Sequence, residues 1–266
     1  MNEKEIGLAE IAKFQHLVDI MARLRSKDGC PWDIEQTHES LSRHALEEVY
    51  EVIESIDQGR LDDLPGELGD LLLQVVFHAR IAEEDNRFDI NDVLDSINEK
   101  LVRRHPHVFG DEKIETAEEQ TQAWEQSKIS QEGKRSAVDG VPKQLPALLR
   151  AHRMQGKAAA VGFDWPQVEP VWDKIREERN ELQGAYESGD VEHTEEELGD
   201  LLFSIVNLSR FIKIEPEQAL RKSCEKFERR FKSVENAFSA RGQKMNDLPL
   251  EELDKVWDAV KVEERG

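Results

Sequence analysis

The sequence predicts an all-α chain of two tandem helical modules of the four-helix-bundle type, and three observations lead there. Apolar residues recur at helical spacing along most of the chain. No stretch sustains the alternation of a half-buried strand. One acidic pattern, Glu-Glu-x-x-Glu followed by Glu-x-x-Asp, occurs twice. The first copy is Glu47, Glu48 and Glu51 with Glu67 and Asp70; the second is Glu177, Glu178 and Glu181 with Glu197 and Asp200. The interval is constant (67 − 51 = 197 − 181 = 16), and the carboxylates repeat at one offset (178 − 48 = 200 − 70 = 130).

Taken in order, Leu8, Ile11, Ala12, Leu17, Ile20, Met21 and Leu24 predict a helix over 6–24. Gly29 and Pro31 then make Cys30-Pro31-Trp32-Asp33 a turn. An acidic helical hairpin follows over about 40–84, its first helix suited to end at Gly59. Asp89 is placed to cap a helix running through Ile90, Val93, Leu94, Ile97 and Leu101. Thr116 with Glu119 three residues on predicts another helix over 116–131. Gly133, Gly140, Pro142 and Pro146 mark a linker over 133–146, which sets modules at 1–132 and 147–266. The second module repeats the plan: a helix over 148–160, a turn at Gly162-Phe163-Asp164-Trp165, and a hairpin over about 168–211. Pro216 suits the first position of a long helix to about 240, and a last helix spans 250–262.

On a helix, residues three apart share a face, so Glu48 and Glu51 point together, as do Glu67 and Asp70. Folding the hairpin brings four carboxylates to one locus, and the second copy does the same with Glu178, Glu181, Glu197 and Asp200. Two like charges about 4 Å apart repel by roughly 4 kcal/mol at an effective dielectric near 20. Such a cluster calls for a cation or for protonation of some members. Oxygen-only ligands suit Mg²⁺, or Mn²⁺ in its place, together with water and substrate phosphates. Against this stands the composition: 57 Asp and Glu in 266 residues make acidic helix faces common. The duplication with fixed intervals favours a site.

The net charge of −21 argues against general nucleic-acid affinity and against anionic membrane surfaces. Cys30 and Cys224 make no disulfide framework. The opening residues lack the character of a signal peptide, and no apolar run is long enough to span a bilayer, so a cytoplasmic location is expected. Glu35-x-x-His38 is a lone match to the di-iron pattern, which needs two.

Beyond the hairpins the halves match again. Lys100, Arg103 and Arg104 correspond to Lys226, Arg229 and Arg230, and Trp124-x-x-x-Lys128 corresponds to Trp257-x-x-x-Lys261. Two readings stay open. The cations can hold phosphate oxygens while the indoles stack on a base or ribose. Alternatively, the cations complement helix C-termini while the indoles fill the core.

These segments, with the Cys-Pro-Trp-Asp turn, Arg103-Arg104-His105-Pro106-His107-Val108-Phe109 and Lys226-Phe227-Glu228-Arg229-Arg230, resemble the MazG family over nearly the whole chain. That family comprises nucleoside triphosphate pyrophosphohydrolases of the all-α superfamily. The resemblance implies Mg²⁺-dependent hydrolysis of NTPs and dNTPs to monophosphate and pyrophosphate, a house-cleaning role, and a homodimer or higher homo-oligomer. It implies Glu178, Glu181, Glu197 and Asp200 as metal ligands, with Lys174, Lys226, Arg229, Arg230 and Trp257 holding the nucleotide. The C-terminal module is the one it credits with activity, although the N-terminal pattern keeps every carboxylate. In the expected mechanism water attacks the α-phosphorus and pyrophosphate leaves on Arg and Lys, with Glu177 or Glu47 orienting the water beside Glu178 or Glu48. A narrower dUTP-type or phosphoribosyl-ATP pyrophosphatase is the near alternative, and a non-catalytic acidic interaction module the distant one.

Overall fold

The chain divides into two compact units, Met1–Lys113 and Ile114–Gly266. The computed structural model describes residues 3–111, 114, 116 and 136–264. Among the described residues every regular element is helical.

The first unit contains α1 (Glu3–Leu24), α2 (Pro31–Glu35), α3 (His38–Asp57), α4 (Leu64–Glu84), α5 (Ile90–Arg104) and α6 (Pro106–Phe109). The turn expected around Pro31 winds into the short helix α2. Pro31 supplies the fixed φ of a first helical position, and the Arg25 guanidinium gathers the carbonyls of Asp33 and Gln36. Thr37 and Ser40 cap each other's backbone N–H to start α3. Just beyond its end Gly59 adopts φ +68°, the left-handed conformation that glycine accepts without strain. Asp89 caps α5 as its position predicts, accepting from the N–H groups of Asn91 and Asp92. Helices α3 and α4 form the hairpin, and α1 and α5 lie against α4. Met21, Leu41, Val76, Phe77 and Ile81 fill the space between α1, α3 and α4, with Phe14, Leu17 and Leu73 packed around them.

The second unit contains α7 (Ala147–Ala160), α8 (Glu169–Ser188), α9 (Val191–Phe211), α10 (Pro216–Ala240), a 3₁₀ turn at Met245–Asp247, and α11 (Leu250–Glu263). Gly189 at φ +76° and Asp190, whose carboxylate caps His193, turn the α8–α9 hairpin in two residues. Pro216 opens α10 behind the capping carboxylate of Glu215. Helix α7 packs on α9 and α10, and α10 on α11. Val234, Phe238, Val256 and Val260 make a separate core between α10 and α11. The expected linker over 133–146 falls within this unit, and its described part, 136–146, holds turns but no helix.

Candidate active site

Helix spacing and the short α8–α9 turn converge the second carboxylate set. Single oxygens of Glu178, Glu197 and Asp200 lie within 4.8 Å of one another, and so do those of Glu177, Glu178 and Glu181. Glu178 belongs to both groups and is only 4% exposed. One turn earlier on α8, the Lys174 ammonium lies 2.5 Å from Glu178 and 2.7 Å from Glu177. Hydrogen bonds to Glu177 and then Glu178 hold the lysine pKa well above its usual range. Burial, followed by the charges of Glu178 and Glu197, pushes the Glu181 carboxyl up. One lysine cannot balance four converging acids, one of them buried. An all-oxygen donor set with a negative excess fits a hard divalent cation.

A cavity of about 640 Å³ is continuous with this cluster. Lys174, Glu178 and Asp200 belong to its wall, and so do Met154, Gln155, Ala158, Phe163, Trp165, Val171, Phe203 and Asn207. The turn after α7, with Gly162 at φ +88°, swings Phe163 and Trp165 to the cavity. Arg210 on α9 anchors that turn through two hydrogen bonds to Asp164, 2.7 and 2.8 Å. A mostly apolar hollow beside an acidic cluster can house a base and sugar while phosphates reach the carboxylates.

In the first unit Glu48, Glu51 and Glu67 also bring oxygens within 4.8 Å. Burial first, and then the charges of Asp70, Glu51 and Glu67, raise the Glu48 pKa. Glu47 turns instead to His44 at 3.1 Å and Arg43 at 3.8 Å. The space beside this cluster is filled. The hairpins match at the offset of 130, and α7 matches α1 at 133 (154 − 21 = 165 − 32 = 133). Asn207 then corresponds to Phe77, Ala158 to Arg25, Val171 to Leu41 and Gln155 to Ala22. Phe77 is 3% exposed in the core, and the Arg25 guanidinium stacks 5.5 Å from its ring centroid while gripping Glu84.

The remaining predicted cations stand elsewhere. Lys226, Arg229 and Arg230 lie on α10, Trp257 and Lys261 on α11, and none lines the cavity. Arg229 and Arg230 hold the two oxygens of Glu264 at 2.9 and 2.6 Å, and Lys261 pairs with Asp258. Trp257 packs on Phe227 and on the α10–α11 core. Lys100, Arg103 and Arg104 lie on α5, off the hairpin that carries the first cluster. Trp124 and Lys128 lie outside the described residues.

Residues 36–109 and 168–235 match the family profile of the MazG nucleotide pyrophosphohydrolase domain, each span carrying one complete carboxylate set. The chain belongs to the MazG family. It is 48% identical over 260 residues to the nucleoside triphosphate pyrophosphohydrolase/pyrophosphatase MazG of Thermotoga maritima, covering 97% of this chain and 98% of that one. It is 47% identical over 258 residues to the nucleoside triphosphate pyrophosphohydrolase of Escherichia coli K12, covering 95% and 98%. A shorter match, 42% over 161 residues, links it to the nucleoside triphosphate pyrophosphohydrolase of Mycobacterium tuberculosis. Neither MazG span reaches α1 or α7, the helices that fill one pocket and line the other. Sequence reading missed Met154, Gln155 and Ala158 on α7 and Asn207 on α9. The contrast of Phe77 with Asn207 at a matched hairpin position was the available signal. His193, 2.9 Å from Glu197 on the same helix face, was missed as well. Among the described residues no helix is long and apolar enough to cross a membrane.

Proposed function

We propose that the chain is a divalent-cation-dependent nucleoside triphosphate pyrophosphohydrolase with modules at 1–132 and 147–266, and that the C-terminal module carries the turnover. One observation supports the assignment to that module above others: Glu178 and Asp200 belong at once to the acidic cluster and to the wall of the cavity. Glu178, Glu181, Glu197 and Asp200 would hold Mg²⁺, or Mn²⁺ in its place. The ion supplies charge neutralisation at the phosphates and makes water a better nucleophile.

The side chains do the rest. Met154, Phe163 and Trp165 take the base and exclude water from it. Lys174 stands where the triphosphate meets the carboxylates and contributes a cation to the departing pyrophosphate. Glu177, tied to Lys174 at the rim, orients the water that attacks the α-phosphorus. Lys226, Arg229, Arg230, Trp257 and Lys261 remain substrate contacts on the strength of their repetition, and an incoming phosphate must displace Glu264 from the arginines. We also propose a homodimer, since Leu198, Leu202 and Ile205 on one hairpin and Leu68, Leu72 and Val75 on the other leave large apolar side chains exposed.

Glu181→Gln is expected to abolish Mg²⁺-dependent pyrophosphate release while the helical circular dichroism stays intact. Undiminished turnover in that variant and in Glu51→Gln would refute the metal assignment.

A further inference from the structure

Gln155 sits on α7 at the cavity wall, 8% exposed. Its Nε2 donates to the Phe203 backbone carbonyl on α9 at 2.8 Å. That bond fixes the amide, because the flipped orientation would set two oxygens against each other. The Oε1 is therefore the free end, and it is buried with no donor among the described residues. Buried acceptors in native structures have partners. A second amide in the same wall is fixed in the opposite sense: Arg210 Nε donates to Asn207 Oδ1 at 3.2 Å, which leaves the Asn207 N–H groups as the donor end. These two amides thus offer one acceptor and one donor within a largely apolar part of the lining. A phosphate at neutral pH supplies no donor for Oε1 and meets its cations at Lys174 instead. The edge of a nucleobase carries N–H donors beside ring or carbonyl acceptors.

We infer that Gln155 is a specificity-determining residue of the C-terminal site, its Oε1 accepting a hydrogen bond from an N–H of the substrate's base. The inference rests on the pyrophosphohydrolase reading above. It places the base deep between α7 and α9 with the triphosphate directed to Glu178 and Asp200. It also fits the first unit's difference, since Ala22, which has no side-chain acceptor, stands at the matched position. A site built around a buried acceptor discriminates against a ligand that lacks the donor, because the acceptor is then left unpaired.

The test compares ATP with purine riboside triphosphate, which has the same sugar and phosphates and no N–H on its ring system. Pyrophosphate release by the full chain is measured for both. The wild type is expected to favour ATP by roughly tenfold or more in kcat/KM. Gln155→Leu should lower the ATP value by about that factor and leave the purine value within about twofold, so the preference collapses. The unchanged purine turnover doubles as evidence that the variant is folded. An equal fall for both substrates would make Gln155 a packing residue and overturn the inference, as would parity in the wild type, which needs no variant. A hydrogen bond to the ribose gives that same equal fall. If the wild type releases pyrophosphate from no nucleotide, the functional reading fails first and takes the inference with it.

Discussion

The two hairpins carry the same carboxylates and stand beside very different spaces. In the second unit Ala158, Val171 and Asn207 border an open cavity; in the first, Arg25, Leu41 and Phe77 occupy the matched positions and close it. In the first unit a hydrophobic core stands where the second has a cavity, with Arg25 spanning from Phe77 to Glu84 and to the carbonyl of Asp33 on α2. The differing residues lie both on the hairpin and on the helix packed against it, and few substitutions separate the open space from the plugged one.

Moving the plug is the sharpest way to break this comparison. The double variant Ala158→Arg, Asn207→Phe should reduce pyrophosphate release by about three orders of magnitude, equivalent to roughly 4 kcal/mol of transition-state stabilisation. Mg²⁺ should still raise the melting temperature of this variant, since no carboxylate is touched. Retained turnover would place the substrate outside the cavity.

Stability gives a second contrast. Met21 is buried in the first core, whereas its counterpart Met154 faces open space. Met21→Ala should destabilise by about 2–5 kcal/mol in urea titration, and Met154→Ala by clearly less, because no new void is sealed behind it. Equal losses would mean that the C-terminal cavity closes in solution.

The smallest effect is a pH dependence at Glu84 in the first unit. Burial opposes ionisation of Glu84, but hydrogen bonds from Arg25 and Arg80 outweigh it and hold the carboxyl below its ordinary value of 4.5. A depressed folded value means that the contribution is complete above that ordinary value and lost as pH falls through the folded one. Glu84→Gln should therefore cost about 1–2 kcal/mol at pH 7, with the gap to wild type closing as the pH falls through the lowered folded value. Ile214 occupies the matched position in the second unit, where no such dependence is expected.

What the sequence made legible was local. The hairpin intervals, the left-handed Gly59, the Asp89 cap and Pro216 at the head of α10 each depend on neighbours within a turn or two. The acidic clusters were readable for the same reason, since i, i+3 spacing and one turn suffice to assemble them. The pocket was not, because it requires α7 to pack on α9 across about fifty residues of sequence, and because Gln155 and Asn207 look like ordinary polar positions on amphipathic helices. Periodicity also left Trp257 undecided between stacking and packing; in this fold it packs against Phe227 and the α10–α11 core. The short helix α2 escaped notice because its stability comes from Arg25 rather than from its own five residues.

The ammonium of Lys174 has a consequence for how the site is switched on. It sits between Glu177 and Glu178, beside the carboxylates proposed to hold the metal. A divalent ion held by these carboxylates would compete with that ammonium, and a displaced Lys174 would be free to reach a phosphate. Loading and arming would then be one event, with Lys174 supplying the acids' counter-charge beforehand.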